Sequence, residues 1–224
     1  MKLAPGPEAD FWRAQENMGP VVAGQPGFLA VIGGEIAASS WMYFCGKFAT
    51  PDDMNAWYGC KDHQPVMRKA HSAWFDAFYI RKWRRPAQGE ALAGPLLCET
   101  AIVPPEVLPH DVRDATVEAL RTALPELNAA PFETAIGEYE PQPFQFVGPL
   151  AEFPVPAPVR YLLVTHWDTA EDLAAWLGSA ALKSLGALGE VSSDVSVLIR
   201  HAPGEREGLN ADGSLRSWSR RAST

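Results

Sequence analysis

The chain has 224 residues, 47% of them hydrophobic and 21% charged, the balance of a globular protein that buries a core. Its formal net charge of −8 argues against a nucleic-acid partner, because phosphate binding needs a basic surface. No apolar run is long enough to span a bilayer, and "MKLAPGPEADFW" lacks the apolar stretch of a secretory signal, so no membrane partner and a cytoplasmic location are expected.

In chain order, "MKLAP" is a weak remnant of a first strand, and "PEADFWRAQENMGPVVAG" is an amphipathic helix. "GFLAVIGGEIA" and "SWMYFCGKFAT" are rich in β-branched and aromatic residues, as strands are. Thr50 then reads as a helix N-cap, with Asp53 three residues on and Pro51 at the first helical position. Met54 and Trp57 give that helix an apolar face. "DHQPVMRKAHSAWFDAFYIRKW" supplies a second helix and a closing strand, and "RRPAQGEALAGP", residues 84–95, is the natural linker. The elements then recur. "LLCETAIV" is a strand, "LPHDVRDATVEALRTALPEL" a helix, "FETAIGEYEP" a strand and "YEPQPFQFVGPLAEFPVPAP", residues 139–158, a long proline-rich loop. "VRYLLVTHWDT", a helix capped by Thr169, and the strand "SSDVSVLIRH" follow, and the tail from Pro203 is expected to be extended or disordered.

"KFATPDDMNAWYG" and "HWDTAEDLAAWLG" are copies at a constant offset of 119 residues, from Trp57 to Trp176. The same offset pairs Ile80-Arg81 with Ile199-Arg200. Each copy reads β-α-β-β-α-β, the split βαβ pattern. The fold class expected is therefore α+β: two tandem ferredoxin-like units, residues 1–88 and 96–202, with a C-terminal tail at 203–224. The three cysteines, Cys45, Cys60 and Cys98, are odd in number and scattered, which suits a reducing compartment. Eight tryptophans, five of them in the first 90 residues, fit either a pocket for flat ligands or a tightly packed core.

"F-x-T-x-x-D-M-N-A-W", "W-x-T-x-E-D-L-x-A-W-L-x-S", "PGFLAVIGG" and the His-led "DHQPVMRKAHSAWFDAFYIRKW" resemble the antibiotic biosynthesis monooxygenase family of dimeric α/β barrels. That family pairs two single-unit chains sheet against sheet. The resemblance implies that a tandem chain supplies both halves, as a monomeric pseudo-dimer that can also associate as a homodimer. It also implies an oxygenase acting on an aromatic or phenolic polyketide-like metabolite, similar to enzymes that open an angucycline ring. No tightly bound cofactor is implied; molecular oxygen would be co-substrate, and a diffusible reduced flavin is compatible with the resemblance. Some relatives degrade haem with a histidine ten residues after the helix tryptophan, but here Met67 and Gly186 stand at those places. Cys60, His63 and His71, with Asp62 the only nearby carboxylate, do not make a zinc spacing, so no metal is expected.

Oxygenation without a cofactor needs a base near neutral pKa, a group to hold the resulting anion and a dry aromatic pocket. His63 or His71 could be the base and Arg68 or Arg81 the anion holder, with Asn55 or Tyr79 donating to a substrate carbonyl. Trp57, Trp74 and Phe75 could wall the rings, and His166 and Trp167 could face the same barrel from the second copy. Trp57 recurs as Trp176 and also reads as ordinary helix-on-sheet packing. The second copy lacks Asn55, His63, His71, Trp74 and Tyr79, carrying Ala174, Leu182, Glu190, Ser193 and Leu198 instead, which points to one active pocket. A non-oxidative cyclase or isomerase, or a protein that only binds small ligands, would use the same features.

Overall fold

The computed structural model describes residues 1–78, 80–130, 144–155, 158–199 and 218–219, with the main chain alone at 71, 77, 78, 218 and 219. The class is mixed α+β. The N-terminal half runs β1 (Lys2–Leu3), α1 (Glu8–Ala23), β2 (Phe28–Glu35), β3 (Met42–Phe48), α2 (Pro51–Gly59), α3 (His63–Lys69), a π-helical turn at Ala70–Trp74, β4 (Phe75–Phe78) and β5 (Trp83–Arg84). The C-terminal half runs β6 (Leu96–Val103), α4 (His110–Glu126), β7 (Phe144–Val147), β8 (Ala151–Phe153), β9 (Tyr161–Trp167), α5 (Ala170–Gly178), α6 (Ala180–Ser184) and β10 (Glu190–Leu198), with β11 (Trp218–Ser219) beyond.

The helix starts follow from local chemistry. The Thr50 hydroxyl accepts the Asp53 N–H at 3.1 Å, and the Thr169 hydroxyl accepts the Asp172 N–H at the same distance. Each threonine thereby satisfies one of the orphan donors at a helix start. The proline-rich segment expected as a loop instead carries β7 and β8 in its described part, because Phe144, Phe146 and Val147 are apolar enough to be buried against a sheet. The strand expected in "FETAIGEYEP" and the C-terminal tail, β11 apart, lie outside the described residues.

All strand pairs are antiparallel. One sheet has the order β5-β10-β6-β9-β7. In the other half β3-β2-β8 form one ladder and β1-β4-β11 another. The two ladders touch where the Met1 ammonium donates to the Met42 carbonyl at 2.9 Å and the Met42 N–H donates to the Met1 carbonyl at 2.8 Å. Among the described residues three strands thus cross between halves: β5 adds to the C-terminal sheet through β10, β8 adds to the N-terminal half through β2, and β11 pairs with β4.

Side-chain alternation, period two, then divides the core. Leu96, Cys98 and Ile102 of β6 and Tyr161, Leu163 and Trp167 of β9 face the helices, packing with Leu120 and Leu124 of α4 and Leu173 and Trp176 of α5. The intervening Leu97, Leu162 and Val164 face the other way and meet Ile32, Ile36 and Trp41 from the N-terminal half. The two sheets therefore pack on each other through one face each. A smaller core of Phe11, Ala70 and Trp74 ties α1 to the π-helical turn.

Candidate functional site

A cavity of about 1580 Å³ occupies the N-terminal half and reaches the inner face of the C-terminal sheet. Its cause is visible when the two copies are compared at the repeat offset. In the second copy, Leu163, Thr165 and Trp167 are completely buried beneath Leu173 and Trp176, and the two indoles stack with centroids 6.1 Å apart. In the first copy the same places hold Phe44, Gly46, Phe48, Met54 and Trp57. Gly46 has no side chain to fill the space, and Phe48 turns to an edge contact with Phe28 at 5.7 Å. Phe44 is 44% exposed, and α2 buries no residue fully. The chamber between sheet and helices is packed solid in one copy and open in the other.

His63, the first residue of α3, is half-buried on the cavity wall. Its ring stacks on Trp57 with centroids 3.9 Å apart and planes 13° apart. Its Nδ1 lies 3.2 Å from the Trp57 carbonyl oxygen. A carbonyl only accepts, so this contact puts the proton on Nδ1 and the basic lone pair on Nε2. The local sequence makes this possible: α2 ends at Gly59, and the chain turns through Cys60 so that α3 starts beside the last turn of α2.

His166 enters from β9 on the sheet-to-sheet side. It is 9% exposed, and its ring centroid is 5.2 Å from that of Trp83. Burial, and then the positive charge of Arg81, push its pKa down to about 3. It is a neutral hydrogen-bonding group at ordinary pH. The unfolded chain takes up this proton near pH 6.5, so the stability that the buried neutral ring contributes is complete above that pH and is lost as pH falls from about 6.5 toward 3. Urea denaturation from pH 7 to 4 is expected to show wild-type stability falling faster than that of His166→Gln. Parallel curves would refute the neutral buried state.

Of the other expected site residues, Phe75 and Arg81 line the cavity, with Arg81 Nη1 donating to the Ile80 carbonyl at 3.1 Å. Three do not. Asn55 is exposed and off the cavity, since helical periodicity aims Met54 and Trp57 inward and Asn55 aside; its Oδ1 accepts from Lys82 Nζ at 3.4 Å. Trp74 is a core residue, 2% exposed, edge-on to Phe11 at 5.8 Å and donating Nε1–H to Asp10 at 3.2 Å. Trp167 is completely buried on the helix side of β9, one residue and therefore one face away from His166. The His71 side chain and Tyr79 lie outside the described residues.

Sequence reasoning missed two groups. Lys82 is 7% exposed, lines the cavity and sits 4.1 Å over the Tyr58 ring. Glu99 of β6 reaches across to β3, accepting the Tyr43 hydroxyl and the Lys47 ammonium, each at 2.9 Å. Burial first, with the Glu99 charge beside them, raises the Tyr43 hydroxyl well above its usual range and the Cys45 thiol to about 11, so neither ionises near neutrality. A lone carboxylate at an inward position of "LLCETAIV" was the available signal for this crossing. Among the described residues no group of three or more His, Cys, Asp or Glu side chains is placed to hold a metal ion, and no helix is long and apolar enough to cross a membrane.

No protein-family model matches the chain, and no curated protein matches it. Among solved structures, it is similar to one from Lactobacillus acidophilus, described provisionally as a monooxygenase. The identity is 12% over 89% of this chain and 90% of the other, and the TM-score is 0.32. A likeness of that degree decides neither fold nor reaction.

Proposed function

We propose that the chain is an oxygenase of a phenolic or enolic aromatic metabolite, built from two ferredoxin-like units at residues 1–88 and 96–202 that face each other as an intramolecular barrel. The strand order β10-β6-β9-β7 supports the unit reading, because a split βαβ unit places its strands fourth, first, third, second. The repeat supports a single site in the first unit, as the corresponding chamber of the second is filled by Trp167 and Trp176. The observation that carries the reading is His63 stacked on Trp57 at the wall of a large, mostly apolar cavity.

In this reading His63 Nε2 takes the phenolic proton, and Arg81 and Lys82 lower the energy of the anion that remains. The electron-rich anion reacts with oxygen directly, with O2 as co-substrate. For an anthrone, one oxygen atom becomes the new carbonyl and the other leaves as water with the two methylene hydrogens. The substrate is thus its own reductant.

Oxygen uptake with anthrone and 1-naphthol, against an anaerobic control, tests this. One O2 consumed per anthrone oxidised is the expected result. Substrate conversion that proceeds equally without oxygen would mean a cyclase or isomerase on the same fold. Binding without conversion would mean a carrier.

A further inference from the structure

The two long helices start alike. Glu8 opens α1 and His110 opens α4, each directly after a proline at the N-cap position. Counted from these starts, Gln15, Met18 and Val22 of α1 stand where Val117, Leu120 and Leu124 stand in α4. The spacing i, i+3, i+7 puts each trio on one face of its helix. In α4 all three are buried and belong to the core between helix and sheet. In α1 Val22 alone of the three is buried, while Gln15 and Met18 are half-buried.

The row on α1 continues back one turn to Phe11, and Phe11, Gln15, Met18 and Val22 all line the cavity. Three of the four are apolar, as a core-facing row of a helix is. Gln15 breaks the row with a primary amide, which carries two N–H donors and an acceptor oxygen. The fold does not use this amide, which makes no hydrogen bond among the described residues. An amide set in an apolar wall gives up part of its hydration, and a ligand that bonds to it restores what was lost. Trp57 and His63 present flat rings to the same cavity from α2 and α3.

We propose that Gln15 is a specificity-determining residue of the cavity: its side-chain N–H donates to a keto oxygen of a planar aromatic ligand, selecting ketones over hydrocarbons of the same shape. The proposal rests on the reading of the cavity as a site for flat aromatic molecules. The second copy shows what the position does without this task, since Val117 there simply fills the core. Arg81 and Lys82 bring positive charge to the cavity, and Gln15 adds a neutral donor from a different element.

The test uses two unreactive probes of one shape, 9-fluorenone, which carries the ketone, and fluorene, which lacks it. Quenching of tryptophan fluorescence in the full chain gives both affinities. Wild type is expected to bind 9-fluorenone about three- to tenfold tighter, the size of one net hydrogen bond. Gln15→Met has a similar length and no N–H, and is expected to erase that preference while fluorene binds as before. Its melting temperature is expected at or above that of wild type, because the row becomes wholly apolar. Gln15→Glu keeps the size and an acceptor oxygen but loses the amide donor, and is expected to lose the preference as well. The infrared carbonyl stretch of bound 9-fluorenone is expected at lower frequency in wild type than in Gln15→Met. Equal wild-type affinity for the two probes, a preference that survives in either variant, an unchanged stretch or a lower melting temperature in Gln15→Met overturns the proposal while leaving the cavity as an aromatic site. Binding of neither probe overturns both.

Discussion

His63→Ala is expected to lower turnover of a phenolic substrate by about 10²- to 10⁴-fold, the usual worth of a positioned general base. The fold is expected to survive. The ring is half-buried, and the Trp57 carbonyl that it contacts also accepts the Cys60 N–H at 3.1 Å, so no main-chain acceptor is stranded. Added imidazole should restore part of the lost rate, because the alanine leaves a gap beside Trp57 of the right shape for it. Full activity in the alanine variant with an unchanged melting curve would sink the assignment of His63 as base.

The second large effect separates two tryptophans that the repeat makes equivalent. Trp176→Ala is expected to cost about 3–5 kcal/mol of stability, the range for emptying a fully buried indole site, and its partner Trp167 would lose its stacking face. Trp57→Ala is expected to cost about 1 kcal/mol, because much of its surface already faces the cavity. Affinity for an aromatic ligand should respond in the opposite order: at least tenfold weaker in Trp57→Ala, with folded Trp176→Ala close to wild type. Urea denaturation and a ligand titration on the two variants measure both quantities. A comparable stability loss at the two positions would mean that Trp57 is ordinary packing after all.

Several elements were legible because their causes are local. Thr50 and Thr169 cap their helices by contacts three residues long, so spacing alone identifies them. Strands β2, β3, β6 and β9 follow from runs of apolar and β-branched residues, and "MKLAP" gives only the two-residue strand its brevity suggests. The site was legible in part. His63 and Trp57 do meet, since they sit on consecutive helices separated by a short turn. His166 and Trp167 could not be told apart: every residue of β9 is buried, so the strand carries no polar alternation to mark which face meets the helices. Trp74 read as a pocket wall, and only the position of Phe11 and Asp10, more than sixty residues away in sequence, makes it core.

The sequence by itself determined the α+β class and the order of the principal elements, because periodicity and capping act over a few residues. Which copy would be hollow was decided by the tertiary structure. Trp57 and Trp176 occupy the same place in the same helix, with the same cap. One is buried because Thr165 and Trp167 fill the sheet beneath it, and the other borders a cavity because Gly46 and Phe48 do not. Burial is a property of what stands opposite a residue, and that partner is set by the packing of sheet on helix, not by the neighbours along the chain.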